Sequence, residues 1–334
     1  MRSHKLKKFV FVLMILILNF KNIEAEYFKD LSYLIQNNVD RFSYGIAVTD
    51  INNDNKFDFI VTGYNYPNLA LSYKKGKLKN IVSEEIFSDK NRKAIGIAAC
   101  DVDKDGVEEI YILNTNSFSG KKRFSDRLLD IDKNQISDLF ENKINANILN
   151  LTAGRSVACV DRQGNGKYSV YVSNYGGPSR FYSVNQRKII DDAPKLKLDK
   201  ITGGRAVVSG HILSDKVDIF AANERGPNFL YKNINSNFIE VAKRYGVDDL
   251  YQNGRGTVLS DVLYRGRLDI ISGNWEGLHR IFILKKNRFY DLVDFDFNRP
   301  SKVRTIISAD FDNDGFDEIL INNIGQSNKM FKLK

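Results

Sequence analysis

The sequence is poor in cysteine, proline, histidine and tryptophan, and each shortage excludes something. Its 334 residues include two cysteines, Cys100 and Cys159, too few for a disulfide-built scaffold or a four-thiolate metal centre. Of the three histidines only His211 and His279 lie beyond the N-terminal segment, far apart in the chain. No zinc-ligand spacing, nucleophile elbow or Cys–His signal accompanies them, so each is read as structural and enzyme chemistry is poorly supported. No apolar run after the N-terminus is long enough to cross a bilayer, and no segment of real length has a helical period.

The N-terminus carries Arg2, Lys5, Lys7 and Lys8, then an apolar run from Phe9 to Phe20 and a small residue at Ala25. A basic start, a core too short to span a membrane and a small residue at the cleavage point make residues 1–25 a signal peptide, with 26–334 as the mature chain. Its loss lowers the formal net charge from +9 to +5. The basic balance therefore gives no case for nucleic acid, and after cleavage no transmembrane segment is expected. The expected location is extracellular, or periplasmic in a bacterium. Asn150-Leu151-Thr152 is a sequon that a glycosylating host could use.

What is present is repetition. Asp310-Phe311-Asp312-Asn313-Asp314-Gly315 is closed by Glu318 at loop position 9; Asp101, Asp103, Asp105 and Glu109 repeat the pattern, as do Asp50, Asn52, Asp54 and Asp58. Oxygen side chains at alternate residues of a tight loop can converge on a hard cation, which makes Ca²⁺ the expected cofactor. Position 12, where an EF-hand carries a bidentate acid, is apolar here, and strand-like runs follow each loop. Aligned on Asp50, Asp101, Asp161, Gly210, Asp261 and Asp310, the unit recurs every 49–60 residues. Each opens with a small, apolar strand, such as Gly96-Ile97-Ala98-Ala99, followed by the loop, a second strand, a Pro/Gly turn and two more strands. Four short strands per repeat predict an all-β fold, a β-propeller of six four-stranded blades, with seven as the alternative. The last unit stops after three strands, and Tyr27–Ile35 is expected to supply its fourth. Residues 121–150 hold the extra length of the longest unit, as a short helix or a surface insertion.

The stretches YGIAVTDINNDNKFDFIVTGYNYPNLAL, AIGIAACDVDKDGVEEIYILNTN, NERGPNFLY, GVDDLYQNGRG and VRTIISADFDNDGFDEILINNI resemble FG-GAP/VCBS-type propellers, the repeat class of integrin α-chain heads. The nearer resemblance is to the cartilage acidic protein 1 family. It extends from about Tyr44 to Lys334, and it implies an extracellular calcium-binding propeller acting as an interaction or adhesion module. Larger members carry a seventh repeat and further C-terminal modules.

Affinity rises with ligand charge, so the four-carboxylate loops at Asp101 and Asp310 should hold calcium more tightly than the Asp50 loop. The loops at Asp161, Gly210 and Asp261 are degenerate; in the last, Arg265 is expected to bridge Asp261 and Asp269 in place of an ion. Cys100 and Cys159 lie one and two residues before their loops. Strict alternation would put them on opposite strand faces, so two buried thiols are expected rather than the bridge that secretion favours. Arg155, Arg255 and Arg304 lie six residues before their loops, and Arg205 five before Gly210. They should ring one mouth of the central channel, opposite the acid loops, with Asn68, Asn228 and Trp275 on nearby hairpins. Such a mouth suits an acidic group of an extracellular protein or an acidic glycan. The competing reading is architectural, each arginine pairing with Glu224 or Glu276. An extracellular enzyme working on polysaccharide at this face is the alternative function.

Overall fold

The computed structural model describes residues 30–132 and 135–333. Residues 1–25, expected to be a signal peptide, lie outside the described residues. The chain divides into two compact units, Met1–Leu34 and Ile35–Lys334. The described part of the first is a single turn of 3-10 helix, Ser32–Leu34. Among the described residues no helix is long and apolar enough to cross a membrane.

The second unit is all-β. In the second repeat, strands Ala94–Cys100, Glu109–Asn114, Arg127–Asp132 and Gln135–Asp138 pair antiparallel in sequence order, and the other repeats do the same. The second strands explain the fold most simply. Along Glu109–Asn114 the side chains alternate. Ile110 and Ile112 join a core with Ile60 and Phe87 of the first repeat, while Tyr111 and Leu113 join a core with Val170 and Tyr182 of the third. Each interior sheet is thus apolar on both faces and must be stacked between neighbours, the geometry of a propeller. Five such clusters join consecutive repeats. Among the described residues no cluster joins the sixth to the first, where Ile46, Val48, Ile307 and Met330 are exposed.

The innermost strands Ile46–Thr49, Ala94–Cys100, Gly154–Val160, Ile201–Gly210, Gly254–Ser260 and Val303–Ala309 crowd one another. A Cβ on Gly256 would stand 2.7 Å from the Thr305 Cα, which is why these strands are built from small residues.

Five sequence expectations need correction. Among the described residues the sheets are five rather than six separate ones, because Tyr175 pairs with Gly203 and Pro178 with Ile201, fusing the third and fourth repeats into eight strands. Among the described residues the last sheet has three strands, Val303–Ala309, Glu318–Asn323 and Lys329–Lys332; of Tyr27–Ile35, expected to complete it, residues 27–29 lie outside the described residues and Ile35 bridges Leu78 of the first repeat. Gly210 is not a loop residue but the last of its strand, paired with Asp218. Its counterparts are Cys100 opposite Glu109 and Ser260 opposite Asp269, so the fourth loop is one residue short.

The remaining two concern Cys100 with Cys159 and Asn150. The cysteines form a disulfide, with their Cα atoms 6.3 Å apart. Alternation does place them on opposite faces, but consecutive sheets stack face to face, so opposite faces of neighbouring blades are the ones that meet. Asn150 is fully buried. Its Nδ2 donates to Asp126 at 2.6 Å and to Asn174 at 3.1 Å, which leaves the sequon no room for a glycan. The longest repeat takes its extra length as the Thr115–Asp126 connection and two 3-10 turns, Leu139–Glu141 and Lys143–Asn145.

Candidate functional site

Apart from the fourth, the loops at the ends of the innermost strands share one construction around their first aspartate. The first aspartate accepts backbone N–H groups from residues three to six places on: Asp101 from Lys104 at 2.6 Å and Gly106 at 3.0 Å, Asp310 from Asp314 at 3.0 Å and Gly315 at 2.8 Å. Gly106 and Gly315, at φ +91° and +92°, supply the left-handed turn. The acid at position 9 returns from the second strand and accepts from position 2: Glu109 from the Val102 N–H at 2.7 Å, Glu318 from Phe311 at 2.8 Å. Carboxylate oxygens of Asp101, Asp103 and Glu109 then converge within 4.8 Å, as do those of Asp310, Asp312 and Glu318.

What separates the loops is what answers their charge. Glu109 is 2% exposed and its Oε1 has no partner. Burial, reinforced by Asp103, Asp105 and Asp130, pushes its carboxyl up to about 8. The Asp50 loop similarly leaves the buried Oδ1 atoms of Asn52 and Asp58 unpartnered, although the Asn52 amide donates to Asp58 at 3.1 Å. A hard dication fits both donor sets, since a cation is the partner such oxygens lack. The Asp310 loop differs from its sequence reading. Lys332, on the third strand, places Nζ 2.8 Å from Asp312, 2.5 Å from Asp314 and 2.9 Å from Glu318. Nothing in the loop pattern points to Lys332, because it lies outside the loop. In the fifth repeat Arg265 Nη2 donates to Asp269 at 2.6 Å and Nη1 to the Leu284 carbonyl. It does not bridge to Asp261, which is taken up by backbone N–H groups. In the fourth, Asp218 accepts from Leu213, Ser214 and Asn233.

At the other end of the innermost strands, Arg155, Arg205, Arg255 and Arg304 line one cavity of about 1010 Å³ together with residues of all six innermost strands. The register shows why. Gly154 pairs with Asn174 and Ser156 with Ser173, leaving Arg155 as the extra residue of a β-bulge; Arg205, Arg255 and Arg304 stand in the same bulge of their own repeats. A bulge re-aims its side chain. All four stand five residues before the last strand residue, and the shorter fourth loop accounts for the apparent offset of Arg205.

Of the predicted companions, Trp275 is half-buried with the Arg255 guanidinium 4.6 Å from its ring centre. Asn68 and Asn228 are not available to a ligand. Both are 2% exposed and brace their hairpins, Asn68 accepting from Gly63 at 2.8 Å and Asn228 from Asn223 at 3.0 Å. The same slot holds His279, whose Nδ1 accepts from the Asn274 N–H at 3.1 Å. Its Nε2 must then carry the proton, donating to Ser301 at 2.9 Å, and Ser301 donates to Asn323. This His–Ser contact is wholly buried and structural.

His279 also gives the fold a pH dependence. Burial, with a smaller effect of Lys329, lowers its pKa to about 4. Its unfolded value is about 6.5, so the unfolded chain binds more protons between those values. The contribution is complete above pH 6.5 and is lost as pH falls towards 4, up to about 3 kcal/mol. His279→Asn, which copies the brace of the fourth repeat, should flatten the fall in melting temperature over that window. Equal pH slopes for variant and wild type would refute the assignment.

Comparison with known proteins places this geometry in context. The FG-GAP-like repeat family matches residues 50–112 and 261–321. Cartilage acidic protein 1 of Xenopus tropicalis is 43% identical over 330 residues, covering 89% of this chain and 51% of that protein. The Homo sapiens protein is 42% identical, covering 89% and 50%. The chain thus spans about half the length of these relatives. Among solved structures, the Dos1 propeller superposes with a TM-score of 0.57 at 10% identity, covering 90% of this chain and 69% of its own. The computationally designed Ika8 protein gives 0.52 at 9%, covering 87% and 71%. These two support the propeller fold and nothing finer.

Proposed function

The chain is a homologue of cartilage acidic protein 1 with FG-GAP-like repeats, and on that footing we propose that it is a secreted, calcium-braced propeller that works as an extracellular interaction module rather than an enzyme. The observation that carries the reading is Glu109, a buried carboxylate with an unpartnered oxygen facing Asp101 and Asp103. Asp101, Asp103, Asp105 and Glu109 would hold one ion. Asp50, Asn52, Asp54 and Asp58 would hold a second, more weakly for their smaller charge. At Asp310, Asp312, Asp314 and Glu318 calcium has to displace the Lys332 ammonium, so this loop ranks below the Asp101 loop, not beside it. Bound calcium supplies charge compensation. The residues themselves tie the end of an innermost strand to the start of the next and hold the blade edges rigid for a partner.

Six blades is the count we favour, because the eight-stranded sheet separates into two quartets, each with its own innermost strand and acid-loop position. The exposed apolar faces of the first and last repeats are the one feature that favours seven. Chelation is the test of the metal assignment. Removing calcium should lower the melting temperature, by the equivalent of about 2.7 kcal/mol per site where free ion had stood at 100 times Kd. An unchanged melting curve would overturn it. Turnover of a polysaccharide by the mature chain would overturn the non-enzymatic reading.

A further inference from the structure

Some arginines elsewhere in this propeller meet several carboxylates each. Arg127 contacts Asp89, Asp138 and Glu141, and Arg280 contacts Asp249 and Asp291. The arginines of the central cavity are treated differently. Glu224 alone answers them, pairing with Arg205 and reaching Arg255 at 3.4 Å. No carboxylate among the described residues forms an ion pair with Arg155 or Arg304. Arg155 is held instead by the Ser117 and Phe118 carbonyls and lies 5.3 Å from the Phe118 ring centre, and Arg304 lies 5.2 Å from that of Tyr44. The buried Nε atoms of Arg155 and Arg255 have no acceptor. Four guanidiniums against one carboxylate leave three formal positive charges in one partly buried cavity, an arrangement that is unfavourable without a counter-charge. For Arg205 the Glu224 pair satisfies the architectural reading; for Arg155 and Arg304 it does not, and Glu276 pairs with Lys302 at 3.9 Å.

We propose that this mouth is an anion-binding site that receives an acidic segment of a protein partner, its carboxylates taken by Arg155, Arg304 and the free donors of Arg255. Guanidinium forks bind carboxylates in two-point fashion and aromatic rings hold the guanidinium planes in place. The wall favours a peptide over a glycan. Beside the arginines stand Ile97, Val157, Val207 and Ile307, against which a sugar would lose hydroxyl hydration with no partner, whereas an apolar side chain next to an acidic one gains by burial. The cavity, about 1010 Å³, is of a size to take a few residues. This inference rests on reading the chain as an interaction module.

The chain has one tryptophan, and Arg255 lies over it, so Trp275 fluorescence reports on the mouth. The calcium-loaded mature protein is titrated with a synthetic peptide of alternating Glu and Phe and, separately, with a heparin-derived sulfated hexasaccharide. The expected result is a saturable fluorescence change with the peptide. Arg155→Gln/Arg304→Gln should weaken it about tenfold or more while melting stays near wild type. Arg304→Gln alone, which breaks no hydrogen bond among the described residues, provides the same test where the double variant folds poorly. Saturation by the saccharide alone, or unchanged peptide affinity in Arg304→Gln, overturns the proposal. Mass spectrometry of the peptide after incubation separates the two readings: an intact but unbound peptide rejects the site, and a cleaved or altered one rejects the interaction module.

Discussion

Replacing Asp126 with asparagine should destabilise the protein by about 3–5 kcal/mol and lower its melting temperature by roughly 10 °C. Asp126 and the Lys122 side chain are both fully buried and form an ion pair. Asp126 also accepts the Tyr111 hydroxyl at 2.6 Å, the Asn114 N–H at 2.8 Å and the Asn150 amide at 2.6 Å. It fills the hairpin-brace slot that Asn68 and Asn228 fill elsewhere, and adds a charge. Asparagine keeps the brace but leaves Lys122 as a buried, uncompensated cation. The same logic predicts recovery: Lys122→Met in the Asp126→Asn background should restore most of the loss, since a buried pair replaced by apolar volume is often neutral. A single variant as stable as wild type, by chemical denaturation, would show that water reaches this network.

Loss of the Cys100–Cys159 bridge should be of similar size. It joins the innermost strands of the second and third repeats across 59 residues of sequence. A loop of that length corresponds to about 4 kcal/mol of lost chain entropy in the unfolded state. Cys100→Ala/Cys159→Ala, or reduction of the wild type, should therefore lower the melting temperature by roughly 10 °C without altering secondary structure. Thiol titration of the unfolded, unreduced protein should find no free thiol. Two free thiols would restore the reading that alternation alone suggested.

Those cysteines mark where the sequence stops being readable. Repeat length, small innermost strands and acidic loops are local, so their periodicity shows them directly. The arginines were also legible, because each bulge shifts its repeat by the same amount and leaves the spacing intact. The disulfide depends on how separate sheets stack, and intra-strand alternation says nothing of that. Asn68 and Asn228 look like surface turn residues but are buried braces. The signal was available: Asn68, Asn228, His279 and Asn328 each follow by five residues the Gly63, Asn223, Asn274 or Asn323 N–H that they accept from. Aligning the hairpins as well as the loops would have assigned His279 its role. Lys332 reaches the last acid loop from a strand outside it, and only coordinates bring it there.

The calcium-dependent shift in melting temperature, measured side by side for wild type and Glu109→Gln, tests the central claim most directly. Among the described residues the Asp101 loop is the one cluster of converging carboxylates in which a buried oxygen has neither a hydrogen-bond nor an ion-pair partner. Wild type should gain several degrees on adding calcium to chelated protein. Glu109→Gln should lose the larger part of that gain, and without calcium should melt no lower than wild type, since the amide oxygen can still accept the Val102 N–H while a buried acid oxygen with no partner is removed. A full calcium response in Glu109→Gln, or none in wild type, would contradict the account.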